Sequence, residues 1–409
     1  MQNSKAAGIV AEYNPFHNGH QWMASTLRAE GFDTLVCVMS GPFVQRGEAA
    51  LFSSFVRAQA AIAGGIDLVL RLPTPWAIAS AEPFAYGGIS VLAALGCLNA
   101  VAFGAEAGEI VPLMQAANLL QTEPFAAGLK KQLEKGISFA AARAEAAETF
   151  LPGASALLAS PNNILGVEYC KALLRLKNEG LAGKSLNSGM PTPLALSRKG
   201  ANHDGLPQDG IASASWLRGQ TGTDLQKLQQ FVPKDCFNLY KDCFKEGNIR
   251  DDARFGLALL ARLRGQQANF FAPYAGHSGE GLAARMTEAA AKACTLQELY
   301  SLAKSKRFAH ARIRRTALAT ALQLPTPAHT APPFIQVMAA NTRGLALLKK
   351  AKQTAVLPLS TSLAKLAQSG EAASQYAKSE AIAEDFYSLC LHTPQPGGKA
   401  YTQPAYIYK

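Results

Sequence analysis

Two histidines three residues apart, His17 and His20, stand either side of Gly19 at the end of the stretch Glu12-Tyr13-Asn14-Pro15-Phe16-His17-Asn18-Gly19-His20. The apolar run before it, residues 7 to 11, reads as a buried strand, and residues 19 to 30 read as a helix. The histidines therefore fall at a strand-to-helix turn. Imidazoles three apart can share one helical face. Two of them aimed at one point can donate hydrogen bonds to charge growing on a phosphate oxygen. A helix N-terminus favours the same anion through its free N–H groups and its dipole. Gly19 leaves room for a nucleotide to approach the backbone. Two surface histidines paired by chance would carry none of this context.

A second group is Ile211-Ala-Ser213-Ala-Ser215-Trp216-Leu-Arg218. Ser213 and Ser215 offer hydroxyl donors to β- and γ-phosphates, and Arg218 offers a planar, permanently charged fork. The same serines suit a helix N-cap, and both roles can hold because they use the same N–H groups. Trp216 is bulky for a phosphate loop. A third group is basic: Lys304, Lys306, Arg307, Arg312, Arg314 and Arg315, with Phe308 and His310 interleaved where they could stack on bases. Arg312 and Arg315 are three apart and share a helix face. Such residues would contact RNA phosphates, positioning the polymer without reading it.

The charge distribution supports that division. Residues 1–225 carry 16 Lys+Arg against 17 Asp+Glu, and residues 226–409 carry 24 against 12. A near-neutral part is thus followed by one of net charge +12, which suits a polyanion. Apolar residues make up 48% and charged residues 17%, a globular composition and not a disordered one. No apolar run reaches the roughly 20 residues that span a bilayer. The start has no signal-peptide pattern, so no membrane association and a cytoplasmic location are expected. Seven scattered cysteines without a CxxC pair argue against a disulfide partner and against zinc.

The elements that must hold these residues alternate. Strand-like runs at 7–11, 33–39, 67–72, 100–103 and 194–197 are separated by helical patterns, which predicts a doubly wound α/β parallel sheet. An Ala-, Leu- and Lys-rich stretch within about 109–160 reads as a helical insertion, and 161–177 as a further helix. From about 225 onward the pattern is helical, with clear helices at 283–293, 296–304 and 307–322. The expected organisation is a nucleotide-binding domain, 1–225, followed by a mainly α-helical basic domain, 226–409. The Pro- and Gly-containing tail from Pro394 reads as an irregular arm.

His17-Asn-Gly-His20 resembles the His-x-Gly-His signature of nucleotidyltransferases and class I aminoacyl-tRNA synthetases, and Ser213 to Arg218 resembles their later phosphate motif. A longer and more specific resemblance is to the bacterial tRNA(Met) cytidine acetate ligases. It is carried by Gly8 to His20, Val38-Met-Ser-Gly41, Gln45-Arg-Gly-Glu48, Phe103-Gly104-Ala-Glu106, Ser160-Pro-Asn162-Asn163-Ile-Leu-Gly166, His203-Asp204, Glu280-Gly-Leu282, Lys304-Ser-Lys-Arg-Phe308 and Arg312-Ile-Arg-Arg315.

This resemblance implies that ATP and acetate form acetyl-adenylate and pyrophosphate. The N4 amine of the wobble cytidine of elongator tRNA(Met) then takes the acetyl group, giving N4-acetylcytidine and AMP. Contacts to ATP would come from Gly8, Ile9, Val10, Ala11, Glu12, Tyr13, Asn14, Pro15, Phe16, His17, Asn18, Gly19, His20 and Gln21, with Gly104, Asn162 and Arg198. Asn162 also suits a helix N-cap. Mg2+ is expected on the phosphates. Three residues depart from the family pattern: Arg71 stands for an acid, Gln336 for an arginine and Ala339 for a glycine. The first would bear on the acetate or metal surroundings, the others on packing or the tRNA grip. Two other classes share parts of this pattern. A small-molecule adenylyltransferase of the pantetheine-phosphate or nicotinamide-mononucleotide type shares the two phosphate motifs but needs no long basic part. A noncatalytic RNA-binding protein could merely sense ATP.

Overall fold

The computed structural model describes residues 4–179, 189–197, 207–208, 210–220, 225–276, 281–327 and 330–408. Arg198, His203, Asp204 and Glu280 lie outside these residues. Among the described residues ten strands are formed: β1 (Ala6–Ala11), β2 (Thr34–Ser40), β3 (Phe43–Val44), β4 (Glu48–Ala49), β5 (Leu68–Leu72), β6 (Ala100–Ala105), β7 (Thr192–Ser197), β8 (Ile335–Ala340), β9 (Leu359–Ser360) and β10 (Tyr406–Ile407). All except the β3–β4 hairpin join one sheet, in the order β10-β8-β5-β2-β1-β6-β7, with β9 beside β8.

The sheet is parallel except where β5 meets β8. Its central strands β2, β5 and β8 are buried on both faces because helices cover both. Val36, Val38, Leu68 and Leu70 point into one core, while Leu35, Cys37, Met39 and Val69 point into the other. That is the two-residue period of a strand sorting its side chains between two layers. The helices Asn18–Ala29 and Ser54–Ala63 belong to the second layer, and Ala81–Ala94 and Pro161–Asn178 to the first. From β1 the chain moves outward through β2 and β5, then returns to lay β6 and β7 on the other side. The connections diverge between β1 and β6, and the crevice beyond their carboxyl ends is where such a sheet binds ligands.

The second part of the chain, expected as mainly α-helical, also contributes strands. Its helices from Lys234–Glu246 to His310–Leu322 include a third core, formed largely by residues 255–324. Beyond them β8, β9 and β10 complete the sheet begun by the first part. Residues on both sides of position 225 thus share one sheet. The tail expected as an irregular arm forms the short helix Lys399–Thr402 and the edge strand β10. β10 pairs in parallel with β8, Tyr406 against Ala339 and Ile407 against Ala340.

The register of β5 and β8 sets Leu70 opposite Val337, which brings two of the unusual positions, Arg71 and Gln336, side by side. Arg71 is buried and its Nη1 donates to Glu380 Oε2 at 3.1 Å and Glu384 Oε1 at 2.7 Å. Both acids come from the helix Glu371–Leu389. Arg71 does not line the large cavity described below, so the expectation that it alters acetate or metal surroundings is corrected. It clamps that helix to the sheet. Gln336 and Ala339 are likewise buried within β8, where they pack and do not face RNA. Truncating one partner of a buried ion pair leaves the others charged and unpaired. Arg71→Ala is therefore expected to cost ~3–5 kcal/mol, read as a lower denaturant midpoint. Adding Glu380→Gln and Glu384→Gln should recover part of that loss.

Candidate active site

A cavity of ≈ 320 Å³ opens beyond the carboxyl ends of β1 and β6. Its walls are Ile9 to Asn14, His17, Gly19 and His20 from the first turn; Phe103 and Gly104 from β6; and Asn162, Leu165 and Tyr169 from the helix Pro161–Asn178. Ser213, Ser215 and Arg218 close the far side. The two sequence motifs, about 200 residues apart in the chain, thus face one space.

The first turn is built around the histidines. His17 is the N-cap of the helix Asn18–Ala29, and its Nδ1 accepts the Gly19 N–H at 3.1 Å. His20 Nδ1 accepts the His17 N–H at 3.2 Å, completing a reciprocal cap. An Nδ1 that accepts an N–H carries no proton, so each neutral ring holds its proton on Nε2. Both rings are donors at Nε2. They stack with centroids 3.7 Å apart, and Tyr13 and Phe16 hold the His20 ring at 4.8 and 5.4 Å. A Cβ on Gly19 would sit 3.0 Å from His17 Cε1 and 3.3 Å from Ile211. The glycine therefore makes room first for the capping imidazole, a tighter requirement than the open backbone expected from sequence.

Arginines fix the rest of the loop. Arg218 Nη1 donates to the Asn14 carbonyl at 2.8 Å and Nη2 to Ser215 Oγ at 3.4 Å, so the second motif is tied to the first. Burial lowers the pKa of Arg218, an effect opposed by nearby Glu48 and Glu12. Ser213 Oγ accepts the Trp216 N–H at 3.1 Å, leaving its hydroxyl proton to point elsewhere. Trp216 fits by packing edge-on against Phe231, at 5.1 Å. Arg57, fully buried, donates to the carbonyls of Glu12, Ser40, Gly41 and Phe52. It gathers the unpaired strand-end carbonyls of β1 and β2. Sequence reasoning missed Arg57, whose neighbours reveal nothing until the strands are placed.

Asn14 Oδ1 accepts the Leu51 N–H at 2.7 Å, and its buried Nδ2 has no acceptor among the described residues. Glu12 Oε1 accepts the Gln45 N–H at 2.7 Å. Burial raises the pKa of Glu12, against the lowering effect of that hydrogen bond and of Arg218, Arg57 and Arg46. Asn162 does not cap its helix; Ser160 holds that position, and Asn162 Nδ2 donates to Glu106 at 2.5 Å. Gly8, Pro15, Phe16, Asn18 and Gln21 do not line the cavity. Gly8 packs on Leu92 and Leu98, Phe16 is buried, and Asn18 Nδ2 ties the loop to the Gly210 and Gln230 carbonyls.

The basic segment is divided. Lys306, Arg307 and His310 are exposed. Phe308 is 2% exposed and cannot stack on a base; it lies under the Arg312 guanidinium, 5.3 Å away. Arg312 also donates to the Ala275 carbonyl at 2.8 Å. Arg314 pairs with Glu48 of the β3–β4 hairpin. Arg315 is largely enclosed, and burial, with Arg312 nearby, lowers its pKa to about 10. Gly47, at φ +73°, lets the hairpin lie directly on this helix, because a Cβ there would be 2.6 Å from the Arg315 nitrogen.

A family model described as HIGH Nucleotidyl Transferase matches residues 4–400. A tRNA(Met) cytidine acetate ligase of Clostridium acetobutylicum is 32% identical, with 87% of this chain and 89% of that protein covered. One from Thermoanaerobacter is 31% identical, covering 97% of this chain and 98% of that one. The crystal structure of Thermotoga maritima TmcAL bound with alpha-thio ATP superposes with a TM-score of 0.88 at 27% identity, covering 98% of this chain and 99% of that one.

Proposed function

We infer the work of this cavity from one premise: the chain belongs to the HIGH nucleotidyl transferases, among the tRNA(Met) cytidine acetate ligases. The function proposed is ATP-dependent activation of acetate as acetyl-adenylate, followed by acetyl transfer to the N4 amine of the wobble cytidine of elongator tRNA(Met). The observation that carries it is the convergence of His17, His20, Ser213, Ser215 and Arg218 on one cavity at the switch point of the sheet. Those groups suit a triphosphate: the imidazoles stabilise charge at the reacting phosphate, and the serines and arginine hold the departing pyrophosphate. Activation comes first because a cytosine amine is a weak nucleophile and carboxylate oxygen a poor leaving group. Holding adenylate and amine together supplies much of the remaining rate.

Magnesium would enter on the triphosphate, held by phosphate oxygens and water. Among the described residues no group of three or more His, Cys, Asp and Glu side chains gathers to build a metal cage, and no helix is long and apolar enough to cross a membrane.

The reading is tested by incubating the protein with ATP, labelled acetate and total tRNA and mapping the label. Label at the wobble cytidine of tRNA(Met) is expected. Pyrophosphate exchange that needs a phosphorylated metabolite in place of acetate would instead support a small-molecule adenylyltransferase. For RNA binding, the exposed Lys306 and Arg307 are the proposed phosphate contacts, with Arg312, Arg314 and Arg315 shaping the helix beneath them. Replacing Lys306 and Arg307 together by alanine should weaken tRNA binding. It should also reduce the magnitude of the slope of log affinity against log salt by roughly 1.5 to 2, for two lost contacts. An unaltered slope would remove these two residues from the interface.

A further inference from the structure

Acyl transfer creates a need that the phosphate-binding groups do not meet. When the N4 amine adds to the acetyl carbonyl, its nitrogen becomes cationic. A proton must leave before AMP departs, or the amine is simply expelled again. We propose that Glu12 is the base that takes this proton, a role that rests on the acetate-ligase reading above.

The cavity wall supports this by elimination. His17 and His20 each accept a backbone N–H at Nδ1, so in the neutral state their remaining nitrogens already carry protons. Tyr13 and Tyr169 are buried phenols whose pKa values burial raises, so they stay protonated. Arg46 and Arg218 are cations. Glu12 is the one carboxylate among the described residues of the wall. Its Oε1 is held by the Gln45 N–H, which fixes the carboxylate plane, and no donor among the described residues is paired with Oε2. Arg57 and Arg218 from two helices, Arg46 from the hairpin and Tyr169 from a third helix face it. Burial raises its pKa above the ordinary value, against the lowering effect of the Gln45 N–H and of those arginines.

The step balances without a further reactant. The nitrogen–carbon bond forms, and one nitrogen proton passes to Oε2. The bond between the acetyl carbon and the phosphate oxygen breaks, its electron pair leaving with AMP. Glu12 then returns the proton to water.

The test is single-turnover transfer from acetyl-adenylate preformed on the enzyme to tRNA(Met), followed by rapid quench across pH. With wild-type protein the rate should rise with pH as Glu12 deprotonates, along a limb above the ordinary carboxylate range. Glu12→Gln should be about 10²-fold slower or more, with that limb abolished. Glu12→Asp should recover part of both. Transfer by Glu12→Gln at the wild-type rate, or with the limb intact, contradicts the role. So does a loss of acetyl-adenylate formation as large as the loss of transfer, which would make Glu12 a nucleotide-positioning group. Wild-type protein that forms no acetyl-adenylate from acetate contradicts the acetate-ligase reading, and this role with it.

Discussion

His20→Ala is expected to slow acetyl-adenylate formation by about 10²- to 10³-fold, the usual cost of one preorganised donor at a developing charge. The His20 ring is packed by Tyr13, Phe16 and His17, and its Nδ1 accepts the His17 N–H, so three neighbouring rings and one hydrogen bond hold its orientation. Alanine removes that donor and also the acceptor of the His17 N–H. The check is acetate-dependent pyrophosphate exchange beside a tRNA-binding titration. Exchange should collapse while tRNA binding stays close to wild type, because the exposed basic residues lie on a different segment. A His20→Ala protein that acetylates tRNA at the normal rate contradicts the placement of the site.

Arg218→Ala should be nearly as damaging, for a different reason. The guanidinium bridges Ser215 and the Asn14 carbonyl, joining two motifs that the chain keeps far apart. A hydrogen bond to a charged group contributes ~1.5–3 kcal/mol, so losing the phosphate contact corresponds to roughly 10- to 100-fold in kcat/KM. Slackening of the loop adds to this. Arg218→Lys should recover little, since a point charge cannot span both acceptors and also face a phosphate. Steady-state kinetics with varied ATP decide it, and a lysine variant with wild-type kcat/KM would show that only charge matters.

The site was legible where chemistry and local pattern coincide. The histidines, Gly19 and the Ser213–Arg218 group announce themselves by type and spacing, and the alternation of apolar runs with helices places them at strand ends. What stayed hidden depends on distant partners. Arg57 reads as one more helical arginine until four strand-end and loop carbonyls meet around it. Arg314 reads as an RNA contact until Glu48 is brought to it from 266 positions away. Phe308 reads as a stacking residue until its burial is seen. β8 was absorbed into the helical part because its six residues are buried on both faces and show no alternation. Pro332 and Pro333 before it, the β-branched Ile335 and Val337 within it, and Asn341 after it were the available signals. Arg71 looked like a change at the site because the acids that answer it sit some 300 residues later.

The most direct measurement is a crystal structure of this protein with a nonhydrolysable ATP analogue. The account predicts the α-phosphate within hydrogen-bond reach of Nε2 on both His17 and His20, with the outer phosphates against Ser213, Ser215 and Arg218. Nucleotide bound at another surface, its phosphates beyond the reach of those two rings, would contradict it.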